Sequence, residues 1–90
     1  MLSNNEVIKR FANRKSGSNR NLKSDGNKLI NYYTCIAQWV DGEIVLNETK
    51  YSVSTSKIQR NCRYYFGRYK SVSGLNIGVQ NLIKPNQIVL

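Results

Sequence analysis

Two Asp-Gly pairs, Asp25-Gly26 and Asp41-Gly42, constrain the fold of this chain more than any other sequence feature. Asp-Gly is typical of the tight turns that join antiparallel strands, because both central residues of a type I′ turn adopt positive φ. Between the two pairs, Leu29–Val40 is rich in β-branched and aromatic residues, and it is long enough for one bent strand or two. The sequence therefore predicts antiparallel β-structure around both turns.

Further strands are expected on either side of this region. Residues 21–53 as a whole favour antiparallel β-structure, with a strand at Glu43–Asn47 and a short one at Tyr51–Val53. Towards the C-terminus, apolar residues alternate with asparagine and glycine over Leu75–Val79, which predicts one more strand. Pro85 interrupts any strand among the last residues or holds it to a sheet edge.

A first helix is predicted over residues 3–13. Ser3 and Glu6 have the Ser-x-x-Glu spacing of a capping box. Apolar residues then recur at helical spacing, namely Val7, Ile8, Phe11 and Ala12. We expect this helix to cover the edge of the sheet.

A second helix is predicted over residues 55–66. Ser56 and Gln59 have capping-box spacing, and Gly67 stands where a C-terminal glycine is expected. Its apolar side is formed by Ile58, Cys62 and Tyr65, with Phe66 on the flank. The elements together predict a single domain, residues 1–90, with an α+β fold: an antiparallel sheet of four to five strands, one short N-terminal helix and the helix near 55–66.

Net charge indicates the class of partner. Lysine and arginine number 14 against 5 acidic residues, a formal charge of +9, and the basic residues are spread along the whole chain. Excess charge destabilises a compact state by self-repulsion, so it usually has a use. The candidate partners are nucleic acid, a nucleoprotein, an acidic protein face or an anionic membrane, and the alternative is a basic surface that serves only solubility.

Two basic segments are the predicted binding residues. The polar side of the second helix presents Lys57, Arg60, Asn61, Tyr64 and Arg68, with Arg63 at its margin, and the helix contains no acidic residue. The segment 14–21, predicted to be a loop, and the residues after it supply Arg14, Lys15, Arg20 and Lys23. Arginine and lysine neutralise phosphates, and tyrosine stacks on unpaired bases.

Aromatic and basic residues also interleave between positions 63 and 70, as Arg63, Tyr64, Tyr65, Phe66, Arg68, Tyr69 and Lys70. This pattern suits single-stranded nucleic acid, and it suits a protein interface equally well. Tyr65, Phe66 and Trp39 are better explained as core residues, since a chain of this size has few other large side chains for its core.

Catalytic and metal chemistry have little support. The chain has no histidine, which removes the commonest general base and metal ligand. Two cysteines without paired spacing do not form a zinc site, and no glycine-rich phosphate loop is present. We therefore predict that the protein is no enzyme and has neither metal nor cofactor, with metal-independent RNA cleavage by lysine, arginine and tyrosine as the one catalytic route left open.

The cellular location follows from what the chain lacks and from its cysteines. The N-terminus has no charged start followed by an apolar run, and no stretch approaches the length of a membrane span. Cys35 and Cys62 each lie in an apolar pattern, which favours buried free thiols in a reducing compartment over a disulfide between them. We predict a cytoplasmic protein that does not enter a membrane.

One stretch resembles a known family. The residues Val45-Leu46-Asn47, then Lys50-Tyr51-Ser52, then Thr55-Ser56 and Gln59 are similar to the core of a small domain of uncharacterised function found mostly in phages and prophages. Ile58 stands where that family tends to have histidine. The resemblance implies a phage or mobile-element origin, and hence the cytoplasm of a host bacterium, more than it implies an activity.

The sequence thus leads to three hypotheses. The first is a phage-type protein that binds DNA, RNA or a host nucleoprotein by occupancy, without covalent change. The second is a protein-directed inhibitor of a host defence enzyme, such as an anti-CRISPR or another anti-defence factor. The third is a structural or assembly component of the virion.

Overall fold

The structure, a computed structural model, describes residues 1–82. Its elements in chain order are α1 (Asn4–Ala12), β1 (Ser16–Ser18), β2 (Leu22–Asp25), β3 (Lys28–Asn31), β4 (Thr34–Val40), β5 (Glu43–Asn47), α2 (Val53–Phe66) and β6 (Lys70–Val72). The prediction about Pro85 lies outside the described residues. Within residues 1–82, no helix combines the length and the apolar character needed to span a membrane.

The strands form one sheet in the order β1-β2-β3-β4-β5-β6. Each strand from β1 to β5 pairs antiparallel with the next, as expected when tight turns join them. The β6 strand pairs parallel with β5, because α2 lies between them in the chain and returns the chain to the same end of the sheet. The α+β class is confirmed, and the described part of the sheet has six strands rather than four to five.

Both predicted turns are present, but only Asp41-Gly42 has positive φ at both residues, since Asp25 belongs to β2 and Gly26 alone has positive φ in the first pair. Asp41 and Gly42 have φ of 51° and 79°, so both central residues of the β4–β5 turn adopt positive φ as expected. In the β2–β3 hairpin, Asp25 ends the strand, and its carboxylate accepts hydrogen bonds from the backbone N–H groups of Asn27 (2.8 Å) and Lys28 (2.7 Å). The side chain of Asp25, the first residue of the turn, thus stabilises the turn by accepting backbone hydrogen bonds from its later residues.

The α1 helix begins as predicted. Ser3 and Glu6 form both halves of the capping box: the Ser3 hydroxyl accepts from the Glu6 N–H (3.1 Å), and the Glu6 carboxylate accepts from the Ser3 N–H (2.9 Å). Val7, Ile8 and Phe11 are buried, while Ala12 is half-buried. α1 packs on β1 and β2, at the edge of the sheet where we expected it.

The start of α2 differs from the prediction. Tyr51–Val53 is not a strand, because Ser52 caps α2 by accepting a hydrogen bond from the Thr55 N–H (3.2 Å). The helix therefore begins two residues earlier than expected, and the predicted capping role of Ser56 with Gln59 is wrong. The predicted C-terminal end of α2 is confirmed, because Gly67 is the C-cap with φ of 67°.

Two other segments also differ from the predictions, and a third resolves an open alternative. The predicted loop at 14–21 contains β1, which pairs with β2 along the sheet edge. Leu29–Val40 forms two strands, one of the two alternatives that the sequence left open, because Tyr32 and Tyr33 turn the chain despite their high β-propensity. Leu75–Val79 is not a strand but an irregular segment in which Leu75 and Val79 pack on the sheet and Ile77 is exposed.

Two apolar clusters lie on opposite faces of the sheet. The larger one fills the space between the sheet and both helices, with Phe11 at its centre, 6.2 Å from the ring of Trp39 and 5.5 Å from that of Phe66. The smaller cluster lies on the other face, where Leu75 and Val79 from the segment after β6 cover the strands. The helices therefore cover one face of the sheet and an irregular segment covers the other.

A buried hydrogen-bond network joins β5 to α2. The Asn47 amide donates to the carbonyl of Cys35 (3.1 Å) and to the hydroxyl of Tyr51 (2.9 Å), and its oxygen accepts from the Thr49 N–H (3.0 Å). Gln59 donates to the carbonyls of Asn47 (2.6 Å) and Thr49 (2.9 Å). The polar residues Asn47, Tyr51 and Gln59 thus connect β5 to α2 through satisfied hydrogen bonds.

The cysteines are buried and unpaired, as the sequence favoured. Cys35 belongs to the smaller cluster and Cys62 to the larger one, so the sheet lies between them. Burial raises the pKa of the Cys35 thiol to about 11, and burial also raises the pKa of the Cys62 thiol.

We expect neither thiol to react with iodoacetamide in the native protein near neutral pH, because the thiolate is the reactive form and both groups are enclosed. Mass spectrometry should show no carbamidomethyl adduct after native treatment and an adduct on both cysteines after treatment in guanidinium chloride. Rapid native labelling of either cysteine would contradict its placement in a cluster.

Candidate nucleic-acid interface

The exposed side of α2 is built from residues three and four positions apart. Lys57, Arg60 and Tyr64 are exposed, the Tyr64 side chain to 81%, and Asn61 between them is half-buried. Such spacing places side chains next to one another on one side of a helix. We call this set, together with the exposed Arg68 just beyond the helix, the basic face.

Arg63 differs from its neighbours because it forms an ion pair. Its guanidinium contacts the carboxylate of Glu48, which lies in the loop after β5. Lys70 is likewise paired with Glu43, at 2.9 Å, and the hydrogen bond and charge of Lys70 lower the pKa of that carboxyl. α2 itself contains no acid, so only the fold could bring Glu48 to Arg63.

The other acidic residues are held by the backbone. Hydrogen bonds with Ser3 lower the pKa of Glu6, and the backbone N–H of Lys28 lowers the pKa of Asp25. Asp41 occupies its turn. Among residues 1–82, no lysine or arginine other than Arg63 and Lys70 has a carboxylate within 4.0 Å. The cations of the basic face, Lys57, Arg60 and Arg68, therefore form no ion pair with a described carboxylate, although the charge of Arg68 helps Lys70 to lower the pKa of Glu43.

Arg14 and Lys15 lie at the end of α1. Arg14 has φ of 59°, and its guanidinium carbon stacks 4.8 Å from the ring centroid of Trp39. Lys15 is exposed, and its carbonyl accepts a hydrogen bond from Ser24 (2.8 Å). Trp39 lines a cleft together with Arg68, so Arg14 lies at the same end of the domain as Arg68.

Arg20 and Lys23 belong to the β1–β2 hairpin. Arg20 is exposed in the β1–β2 turn, next to Asn19, whose side-chain amide donates to the Leu2 carbonyl before α1 (3.1 Å). Lys23 alternates with buried neighbours on β2, and it lines a cavity with Ile30, which packs on the smaller cluster. Lys23 therefore faces away from the helices, and the structure does not bring it to the basic face.

Sequence reasoning missed two contributors. Lys9 of α1 places its ammonium 5.1 Å from the ring centroid of Tyr65, which puts another cation beside the C-terminal half of α2. A cleft of about 780 Å³ opens where both helices end, and half-buried Trp39, Tyr65 and Tyr69 line it with Arg68 at its edge. The interleaved aromatic and basic residues between positions 63 and 70 were the signal for this cleft.

Residues 1–82 contain no cluster of side chains that could hold a metal ion. No group of three or more histidine, cysteine, aspartate or glutamate side chains comes together there. The arrangement of the basic face can bind anions and stack on rings, which are recognition functions.

Comparisons with known proteins add no relative. The chain matches no protein-family model, and searches of curated proteins and of solved structures found no significant match. The resemblance to a phage domain family therefore stays a prediction.

Proposed function

We propose that this protein binds nucleic acid, free or within a nucleoprotein, through the basic face of α2, and that it acts by occupancy without covalent change. The proposal depends on one observation. Lys57, Arg60 and Arg68 are exposed and form no ion pair with a described carboxylate, and Lys9 of α1 adds another cation beside α2. Phosphates neutralise such cations and release condensed counterions, which is the main source of sequence-independent affinity.

The surroundings of these cations support phosphate binding over a role in solubility alone. Surface helices usually mix charges of both signs and gain from pairs one turn apart. The exposed side of α2 has no acid of its own, and Glu48 neutralises only Arg63 at its margin. Side chains that hydrogen-bond or stack, Asn61 and Tyr64, lie between the cations, as in surfaces that bind nucleic acid.

Salt dependence tests the proposal. With about four phosphate contacts, affinity for a fluorescent 20-mer of DNA or RNA should fall about 50- to 150-fold between 50 and 200 mM salt. Fluorescence polarisation at several salt concentrations gives the slope of log K against log[salt]. Absence of binding to single- and double-stranded 20-mers at 50 mM salt would remove the nucleic-acid function.

A protein-directed inhibitor of a host defence enzyme is the second candidate. Tyr33 and Ile77 lie near the β3–β4 turn with 61% and 64% of their side chains exposed, and exposed aromatic and aliphatic side chains are typical of protein interfaces. A packed protein interface weakens little with salt. Capture of one host protein from nuclease-treated lysate, together with absent oligonucleotide binding, would favour this candidate.

A further inference from the structure

Tyr32 occupies an unusual position at the tip of the β3–β4 hairpin. Its φ is 58°, a value that bulky side chains rarely adopt, and glycine or asparagine is the usual residue at such a place. Its N–H donates to the Asn21 carbonyl (2.8 Å), which fixes the turn, while 65% of its side chain is exposed. Unfavourable backbone conformations of this kind cluster at binding sites, because the surrounding structure has to hold them in place.

The hairpin tip adjoins the basic face. Tyr32 lines a cavity of about 330 Å³ together with Lys57 and Asn61 of α2 and with Asn21. Tyr64 lies about two helical turns after Lys57, with Asn61 between them. Lys57 and Tyr64 are therefore separated by about 10 Å along the helix axis. An exposed ring therefore stands at each end of a surface of cations and amides.

We infer that the nucleic acid bound by the proposed function is single-stranded, with bases stacked on Tyr32 and Tyr64 and phosphates at Lys57 and Arg60. Bases of a duplex are already paired and stacked, so a ring on the protein surface gains little from them, whereas an unpaired base offers a free face. The side-chain amides of Asn21 and Asn61 can bond to base edges, which unpaired bases leave open. This inference rests on the proposed function and adds the strand state of the ligand and the role of Tyr32.

The experiment compares a single-stranded 20-mer with the duplex of the same sequence at 50 mM salt. We expect the wild-type protein to bind the single strand more tightly than the duplex. Tyr32→Asn and Tyr64→Ala should each weaken single-strand binding by about five- to hundredfold and change duplex binding little. Because asparagine tolerates φ of 58° better than tyrosine does, Tyr32→Asn should melt no lower than the wild type.

Tyr33→Asn is the matched control. Tyr33 is exposed to nearly the same extent as Tyr32, but its ring adjoins Gly78 on the far side of the turn, so single-strand binding should be unchanged. Equal affinity for both oligonucleotides, or a Tyr32→Asn variant that binds the single strand as the wild type does, overturns the inference. In that case the proposed function still holds if binding depends on the cations of α2. If the protein binds neither oligonucleotide, both the inference and the proposed function are wrong.

Discussion

The variant in which Arg60 and Arg68 are both replaced by glutamate should lose at least about 100-fold in affinity for a 20-mer, because like-charge contacts with phosphates cost several kcal/mol. Both residues are exposed, and neither side chain contacts a described carboxylate. Surface changes of this kind usually alter stability by about 0.5 kcal/mol or less each. We therefore expect the melting temperature to stay within about 4 to 8 °C of the wild type.

Fluorescence polarisation and thermal unfolding of the same preparations measure the two quantities. The slope of log K against log[salt] should also decrease in magnitude by about two, since two phosphate contacts are lost. An unfolded double variant would show that the exposed side of α2 is assigned incorrectly.

Lys23→Glu controls for the general effect of charge. It makes the same change as Arg60→Glu, one basic residue to one acidic residue, but Lys23 lies on the face of the sheet opposite to α2, in a cavity that it shares with Tyr32. We expect Arg60→Glu to weaken binding much more than Lys23→Glu at equal salt. Equal losses would contradict the confinement of binding to the basic face.

Asn47→Asp should destabilise the protein by about 3 to 5 kcal/mol, the range seen when a buried polar network loses a donor and is left with an uncompensated charge. Asn47 is fully buried, and its amide donates to the Cys35 carbonyl and the Tyr51 hydroxyl. A carboxylate retains the bond from the Thr49 N–H but cannot donate to the carbonyl. Urea unfolding followed by Trp39 fluorescence measures the loss.

Asn27→Asp is the control for this substitution. Asn27 is exposed in the β2–β3 turn, so the same chemical change should alter stability by about 0.5 kcal/mol or less. If Asn47→Asp were as mild as the control, the network between β5 and α2 would not stabilise the fold as the structure implies.

Local signals were sufficient for much of the fold. The Ser3–Glu6 capping box, the Asp41-Gly42 turn and the C-terminal Gly67 act through neighbouring backbone atoms, so the sequence predicts them without knowledge of the rest of the chain. Over Leu29–Val40 the sequence left one bent strand or two open, and tertiary contacts decided for two. Tyr32 and Tyr33 favour strands as residue types, yet they form a turn, which shows that their intrinsic preference is weak against pairing register.

The candidate site was predictable to a smaller extent. Helical spacing places Lys57, Arg60 and Tyr64 on one exposed side, and the structure agrees. Spacing cannot show that Glu48 reaches Arg63, because a loop and a helix 15 residues apart meet only after folding.

The sequence alone determined the class of the fold, the approximate helices, most of the turns and the excess of positive charge. Each of these features depends on residue types and short spacings. Tertiary structure decided the parallel pairing of β6 with β5, the face on which Lys23 lies and the position of Tyr32 beside Lys57. Those features depend on which distant segments pack together, and packing is governed by the shape and register of the whole chain, which short-range patterns do not encode.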